Sequence, residues 1–228
     1  MVHTSLQKID LTTESKMIVK EIFAIIIGYL LGSIPSAYIT TRLATGKDIR
    51  QLGGGNVGGL NVFREVGPWP ALAAGIVDLG KGVAAVAIAY WLLDLSLVFV
   101  LLAGLGAVIG HNWMVWLKFS GGKGMGAAIG ALAVVMPLYG YWQGLLIFFG
   151  VILIPFIITR NVALSTATGL VFLPLIIWLG TKSGTATIMA IILGLLIGIR
   201  FLPTARAAWA KTETKKDFVF DRWQRNRR

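Results

Sequence analysis

Long apolar runs separated by short polar stretches set the first constraint on this chain. Segments 95–117 and 124–159 contain no Asp, Glu, Lys or Arg. A helix of about 20 apolar residues spans a bilayer core of roughly 30 Å while satisfying its own backbone polar groups. Apolar segments fall at about 22–43, 68–92, 95–117, 124–140, 141–159, 163–181 and 184–202. The uncharged run 124–159 exceeds one crossing, and Met136-Pro137-Leu138-Tyr139-Gly140-Tyr141-Trp142-Gln143 supplies turn residues and interfacial aromatics that divide it. The pattern predicts an all-α, polytopic membrane protein with about seven transmembrane helices.

An odd count puts the termini on opposite sides, and the basic residues choose the orientation. With the C-terminus cytoplasmic, the inside receives Arg42, Lys47, Arg50, Arg64, Lys118, Lys123, Arg160 and nine Lys or Arg residues from Arg200 onward; the outside receives Lys8, Lys16, Lys20 and Lys182. That asymmetry predicts an external N-terminus. The chain divides into a polar N-terminal extension (1–20), a membrane domain (21–203) and a basic tail (204–228), the last expected as a surface helix or disordered. Residues 1–20 lack the features of a cleaved signal peptide. Gly28/Gly32, Gly106/Gly110, Gly126/Gly130 and Gly194/Gly198 are expected to let helix backbones approach closely.

Composition narrows the chemistry. Hydrophobic residues make up 56% of the chain and charged residues 14%, with a mean hydropathy of +0.78. An ordinary soluble domain carries about 25% charged residues, so that class is excluded. The absence of cysteine excludes disulfides, Cys-liganded zinc, haem attachment and a Cys nucleophile. With two histidines, His3 and His111, and ten carboxylates, most of them scattered, a His-rich transition-metal cage is not expected. The net charge of +11 sits between and just after apolar segments and not on a soluble recognition module, so nucleic acid is not an expected partner. Cations so placed fix topology and bind anions at the membrane surface.

Two polar stretches concentrate the candidate chemistry. In 46–67, Gly53, Gly55 and Gly58 match G-x-G-x-x-G, but no strand precedes them and Asp78 lies in an apolar span, so a dinucleotide fold is not implied. Flexible backbone amides beside Asn56, Asn61, Arg50 and Arg64 instead predict a phosphate cradle. In 110–124, Gly121-Gly122-Lys123-Gly124 resembles a phosphate loop, but Leu117 replaces the first Walker glycine and Gly124 the Ser or Thr, which excludes an NTPase loop. A glycine-flanked lysine at a helix start still suits a phosphate. His111 reads equally as a base or a structural group, since Trp116 stands where a His-x4-Asp acyltransferase would carry its acid. Asp78 and Lys81, one turn apart in an apolar span, are expected to neutralise each other, with a proton or ion site at Asp78 as the alternative.

With these residues in view, the chain resembles the PlsY-type acyl-phosphate:glycerol-3-phosphate acyltransferases, integral membrane enzymes of bacterial phospholipid synthesis. The resemblance runs from about Gly28 to Arg206 through Gly32-Ser33-Ile34-Pro35, Asp48-Ile49-Arg50, the stretch Gly53 to Arg64, Asp78-x-x-Lys81-Gly82, Gly110-His111 and Phe119-x-Gly-Gly-Lys-Gly. Departures fall at Gly54 and Leu60, where the family has Ser and Thr, and at Ala163 in a motif usually read Arg-Tyr-x-Ser-Leu. Phe201 and Thr204 stand where the family has His and Asn.

The resemblance implies transfer of a fatty acyl group from acyl phosphate to the sn-1 hydroxyl of glycerol 3-phosphate, giving lysophosphatidic acid. The implied setting is the bacterial plasma membrane, among membrane lipids, with the site facing the cytoplasm. Arg64, Lys123 and His111 are the candidate catalytic residues. Arg50, Gly53, Gly55, Asn56, Gly58, Asn61, Gly121, Gly122, Gly124 and Arg160 are the candidate substrate and phosphate binders. Because acyl phosphate carries a good leaving group, such a site needs charge stabilisation and positioning more than a covalent nucleophile. The donor's own phosphate is implied as the proton acceptor, and the resemblance implies no metal and no nucleotide or other cofactor. The lost polar groups leave one rival: a non-catalytic or transport protein that binds a phosphorylated lipid or small anion.

Overall fold

The computed structural model describes residues 2–210 and residue 219. The chain order is α1 (Val2–Gly32), α2 (Ser36–Thr45), α3 (Gly59–Glu65), α4 (Pro68–Ala87), α5 (Leu97–Asn112), α6 (Met125–Leu138), α7 (Gln143–Thr159), α8 (Val162–Thr181) and α9 (Gly184–Trp209). Short 3-10 turns at Ile49–Gln51 and Val115–Leu117 shape the connections, and α4 ends in a π-helical turn at Ile88–Leu92. No strand occurs among the described residues.

Among the described residues, five helical stretches are long and apolar enough to cross a membrane: Thr13–Thr45, Pro68–Leu92, Leu97–Leu117, Val162–Thr181 and Gly184–Ala207. The other two predicted spans form the apolar helices α6 and α7, with 14 and 17 residues. At 1.5 Å per residue these reach about 21 and 26 Å, short of a full hydrocarbon core. Trp69, Leu92, Leu146, Ile158 and Val171 all face outward, the reverse of a water-soluble fold and the arrangement that lipid solvates. The first predicted span, 22–43, is interrupted. Pro35 has no N–H to give and disfavours helical backbone at Ile34, so α1 stops at Gly32 and α2 restarts at Ser36. Helix α1 continues through residue 20 and α9 through residue 203, so neither expected domain boundary coincides with an element end. Most of the basic tail, 211–218 and 220–228, lies outside the described residues.

Three of the four small-residue pairs lie at close crossings. Gly28 and Gly32 of α1 meet the α5 backbone at Ala103 and Ala107, and Gly106 and Gly110 of α5 meet α1 at Ile25 and Tyr29. Gly126 and Gly130 of α6 meet α4 at Asp78 and Leu79, where Gly82 closes the same interface against Ala127 and Ala131. A methyl at any of these six paired positions or at Gly82 would collide with its neighbour, the condition under which packing alone joins helices in lipid. The pair on α9 is different: an added carbon at Gly194 would meet only the Leu170 carbonyl at an ordinary 3.5 Å, and Gly198 faces open space. Spacing alone does not say which face of a helix meets a partner.

The packing leaves the polar stretches together at one end. A small apolar cluster of Ala37, Ile49, Val57, Val62, Ala74, Met114 and Leu117 supports them from beneath. Their backbones join where Val57 N donates to Gly121 O at 3.4 Å.

Candidate active site

A cavity of about 390 Å³ opens between these stretches. Arg64 of α3, Asp78 of α4, His111 of α5 and Lys123 before α6 line it, with Asn161 and Thr166 of α8 and Phe201 and Thr204 of α9. Asn56, Gly58, Asn61 and Gly124 also contribute. Residues far apart in the chain thus converge on one volume. Gly54, Leu60, Ala163, Phe201 and Thr204, the positions that depart from the resembled motifs, all face it.

The glycine-rich loops are more self-contained than an open phosphate cradle. Gly54 N donates to Asn61 Oδ1 at 3.4 Å, Gly55 N to Leu52 O at 3.0 Å and Gly58 N to Asn56 O at 3.0 Å. Asn61 Nδ2 reaches the carbonyls of Leu52 and Asn56 at 3.1 and 3.0 Å, so this amide ties the loop into its shape. Gly53 and Gly55 hold the left-handed φ values of 54° and 68° that the turn demands. Gly122 N donates to His111 O at 2.9 Å, and an added carbon at Gly121 would strike the backbone carbonyls of His111 and Asn112. Gly53, Gly55, Gly121 and Gly122 lie outside the cavity lining.

Arg50 and Arg160 also lie outside it. Arg50 forks onto Asp48, with Nη2 2.6 Å from Oδ2 and Nε 3.0 Å from the same oxygen. That bond holds the half-buried Asp48 carboxyl below its ordinary range. Arg160 takes a left-handed conformation, φ 60°, that closes α7, while its neighbour Asn161 caps α8 by accepting from Leu164 N at 3.0 Å.

At the cavity wall, Asp78 forms a buried ion pair with Lys81, Nζ to Oδ1 2.6 Å, and Ser36 donates to the same oxygen at 2.5 Å. Mutual neutralisation is what the sequence led us to expect of the two charges. Ser36 and His111 complete the group, and no local spacing pointed to them. His111 Nδ1 faces Asp78 Oδ1 at 3.4 Å, a long contact that makes no geometrically good hydrogen bond.

Lys123 is the most perturbed cation outside the helices. Burial lowers its pKa to about 8, and the positive charges of Arg64 and Arg200 push in the same direction. No acid pairs with it among the described residues; its ammonium stands 4.1 Å from the centre of the Phe201 ring. Arg200, by its sequence position a topological charge, donates from Nε to Gly122 O and from Nη2 to Gly121 O, both at 3.0 Å. Its guanidinium also lies 5.5 Å from the Trp113 ring. The signal available for it was slight: one arginine at the end of an otherwise uncharged span.

Comparison with known proteins gives a consistent answer. Residues 22–211 match the family model described as glycerol-3-phosphate acyltransferase. Glycerol-3-phosphate acyltransferase 1 of Dehalococcoides mccartyi is 48% identical over 202 residues, covering 89% of this chain and 97% of the relative. A glycerol-3-phosphate acyltransferase of Prochlorococcus marinus is 35% identical, covering 77% and 87%. The crystal structure of PlsY, an integral membrane glycerol 3-phosphate acyltransferase, in its glycerol 3-phosphate form superposes with a TM-score of 0.75 at 30% identity, covering 83% of this chain and 92% of that one. Similarity of this extent across sequence and fold, with the polar motifs gathered at one cavity, decides against the non-catalytic rival: the chain belongs to the glycerol-3-phosphate acyltransferase family and is a membrane enzyme of that type.

Proposed function

We propose that the cavity transfers a fatty acyl group from acyl phosphate to the sn-1 hydroxyl of glycerol 3-phosphate, giving lysophosphatidic acid and inorganic phosphate. The observation that carries this reading is the convergence of Arg64 and Lys123, neither paired with an acid among the described residues, on one cavity. Lys81 is neutralised by Asp78, Arg50 by Asp48, and Arg200 is held by two carbonyls. Arg64 and Lys123 are the two cations among the described lining residues, enough for two phosphate-bearing substrates, with Asn56 to orient them.

In the reaction the acceptor oxygen bonds to the acyl carbon, the bond from that carbon to the phosphate oxygen breaks, and the hydroxyl proton leaves with the phosphate. Positive charge beside the departing phosphate stabilises the transition state more than the ground state. Asp78 is the sole carboxylate among the described lining residues, and it already accepts from Ser36 and Lys81. A proton transferred to the leaving phosphate spares the site a dedicated base. Purified protein should release phosphate stoichiometrically with lysophosphatidate from acyl phosphate, and not from acyl-CoA. Turnover with acyl-CoA alone would overturn the donor assignment.

Arg64 is assigned a forked contact with a substrate phosphate. Arg64→Lys keeps the charge but not the planar two-point geometry. It should lower kcat/KM about tenfold or more, roughly 1.4 kcal/mol, with little change in thermal stability. A fully active Arg64→Lys enzyme would remove the fork.

We further infer seven crossings with the N-terminus outside and the site in the cytoplasm of a bacterial cell. A cysteine placed at Gln51, in a chain that has none, should resist an impermeant thiol reagent added outside intact cells and react after permeabilisation. Labelling from outside would reverse the orientation.

A further inference from the structure

Lys123 occupies an unusual setting for an ammonium that must stay charged. The charged and titratable groups that share the cavity with it are Arg64 from α3, Asp78 from α4 and His111 from α5, and the adjoining α9 adds Arg200. The α8 wall contributes Asn161, Val162, Ala163 and Thr166, none of them titratable. Of these groups two are cations that repel it, and the one carboxylate is bonded to Lys81 and Ser36. What lies against the ammonium is an aromatic face: the centre of the Phe201 ring is 4.1 Å from Nζ. That is inside the roughly 6 Å range over which a ring quadrupole attracts a cation.

The backbone geometry makes this contact specific. Arg200 and Phe201 are consecutive on α9. The first donates two hydrogen bonds to the carbonyls of Gly121 and Gly122, and the second meets the side chain of the next residue, Lys123. One turn of α9 therefore grips both the backbone of the glycine loop and its terminal charge. Arg200 is bonded to the carbonyls of the loop, and the ring of Phe201 lies against the ammonium that follows them.

We propose that Phe201 is a positioning residue for Lys123: the face of its ring holds the ammonium over the cavity in place of the carboxylate counter-ion the site lacks. The proposal rests on the assignment of Lys123 to a substrate phosphate. A ring suits this task better than a carboxylate. It attracts the cation without neutralising it, and it does not repel an incoming phosphate as a fixed anion would. It also explains how an aromatic residue can occupy a polar cavity next to a cation whose proton is already loosened by burial.

The test separates the electronic role of the ring from its shape. Phenylalanines carrying one, two and three ring fluorines are placed at position 201 of the full-length protein by nonsense suppression; each fluorine weakens the negative face of the ring with little change in volume. Two quantities are read: the pH midpoint for reductive methylation of Lys123 in the absence of substrate, by peptide mass spectrometry, and kcat/KM at pH 8 with acyl phosphate and glycerol 3-phosphate. The midpoint should fall stepwise from about 8, by about one unit at the third fluorine, and kcat/KM should fall with it by roughly five- to tenfold. A trifluorinated protein with the parent's midpoint and kcat/KM, or a midpoint that rises, would overturn the proposal. A parent that does not turn over these substrates, while its Lys123 midpoint still tracks fluorination, would overturn the functional reading and leave the ring contact supported.

Discussion

Lys123→Ala should lower kcat/KM by roughly 10²- to 10³-fold, about 2.7 to 4 kcal/mol, by analogy with the loss of one oxyanion-hole donor. The argument for a loss confined to activity comes from the surroundings of the side chain. Its ammonium has no acid partner among the described residues, it is partly desolvated, and Arg64 and Arg200 repel it. Removing it relieves those costs while sacrificing one ring contact, so the thermal midpoint of the purified protein should hold or rise. Lys123→Arg should retain more activity than the alanine variant, because charge is kept while the position of the donors changes. With burial and like charges lowering the lysine to about 8, the parent should also lose kcat/KM as pH rises through that value, since the proton that binds phosphate is then gone. Alanine and parent enzymes of equal kcat/KM at subsaturating substrate would take Lys123 out of the site.

Much of this arrangement was legible before any fold was known, and the reason is that membrane insertion separates the chemistry. Apolar segments carry little of it, so the polar stretches 46–67 and 110–124 stand out, and the structure brings Arg64, Lys123, Asn56, Asn61 and His111 to one cavity. What stayed hidden depends on contacts distant in sequence or on rival local partners. Arg50 has the charge a phosphate requires, but Asp48 lies two residues back and takes it. Gly121 and Gly122 read as phosphate-loop amides, yet they serve a close approach to His111 and Asn112. Arg200 and Phe201 sit at the end of α9, nearly eighty residues after the loop they hold, and no periodicity in either segment announces the other. The helix break at Pro35 was visible as a residue. Its consequence was not, because it lies in directing Ser36 toward Asp78 on α4.

The cluster that Ser36 joins should dominate stability. Asp78 and Lys81 are 4% and 3% exposed, and their charges meet at 2.6 Å within an apolar span. Asp78→Ala keeps the β-carbon against which Gly126 packs, so the substitution removes charge and hydrogen-bond acceptance more than volume. It leaves the Lys81 ammonium buried with the Ser36 hydroxyl, 3.4 Å away, as its one remaining hydrogen-bond partner among the described residues. Breaking a buried pair in this way costs about 3 to 5 kcal/mol, because the surviving charge cannot recover its hydration. The purified variant should therefore unfold at a clearly lower temperature than the parent. The double variant Asp78→Ala/Lys81→Met should regain most of that loss, since two apolar groups need no compensation. Activity then discriminates between two roles for the carboxylate. If Asp78 serves the fold, the double variant recovers kcat along with stability. If it acts through His111, whose Nδ1 faces it at 3.4 Å, stability returns while kcat remains low. The occupied state of Oδ1, already accepting from Ser36 and Lys81, favours the first outcome, and an Asp78→Ala protein as stable as the parent would sink the whole account of the cluster.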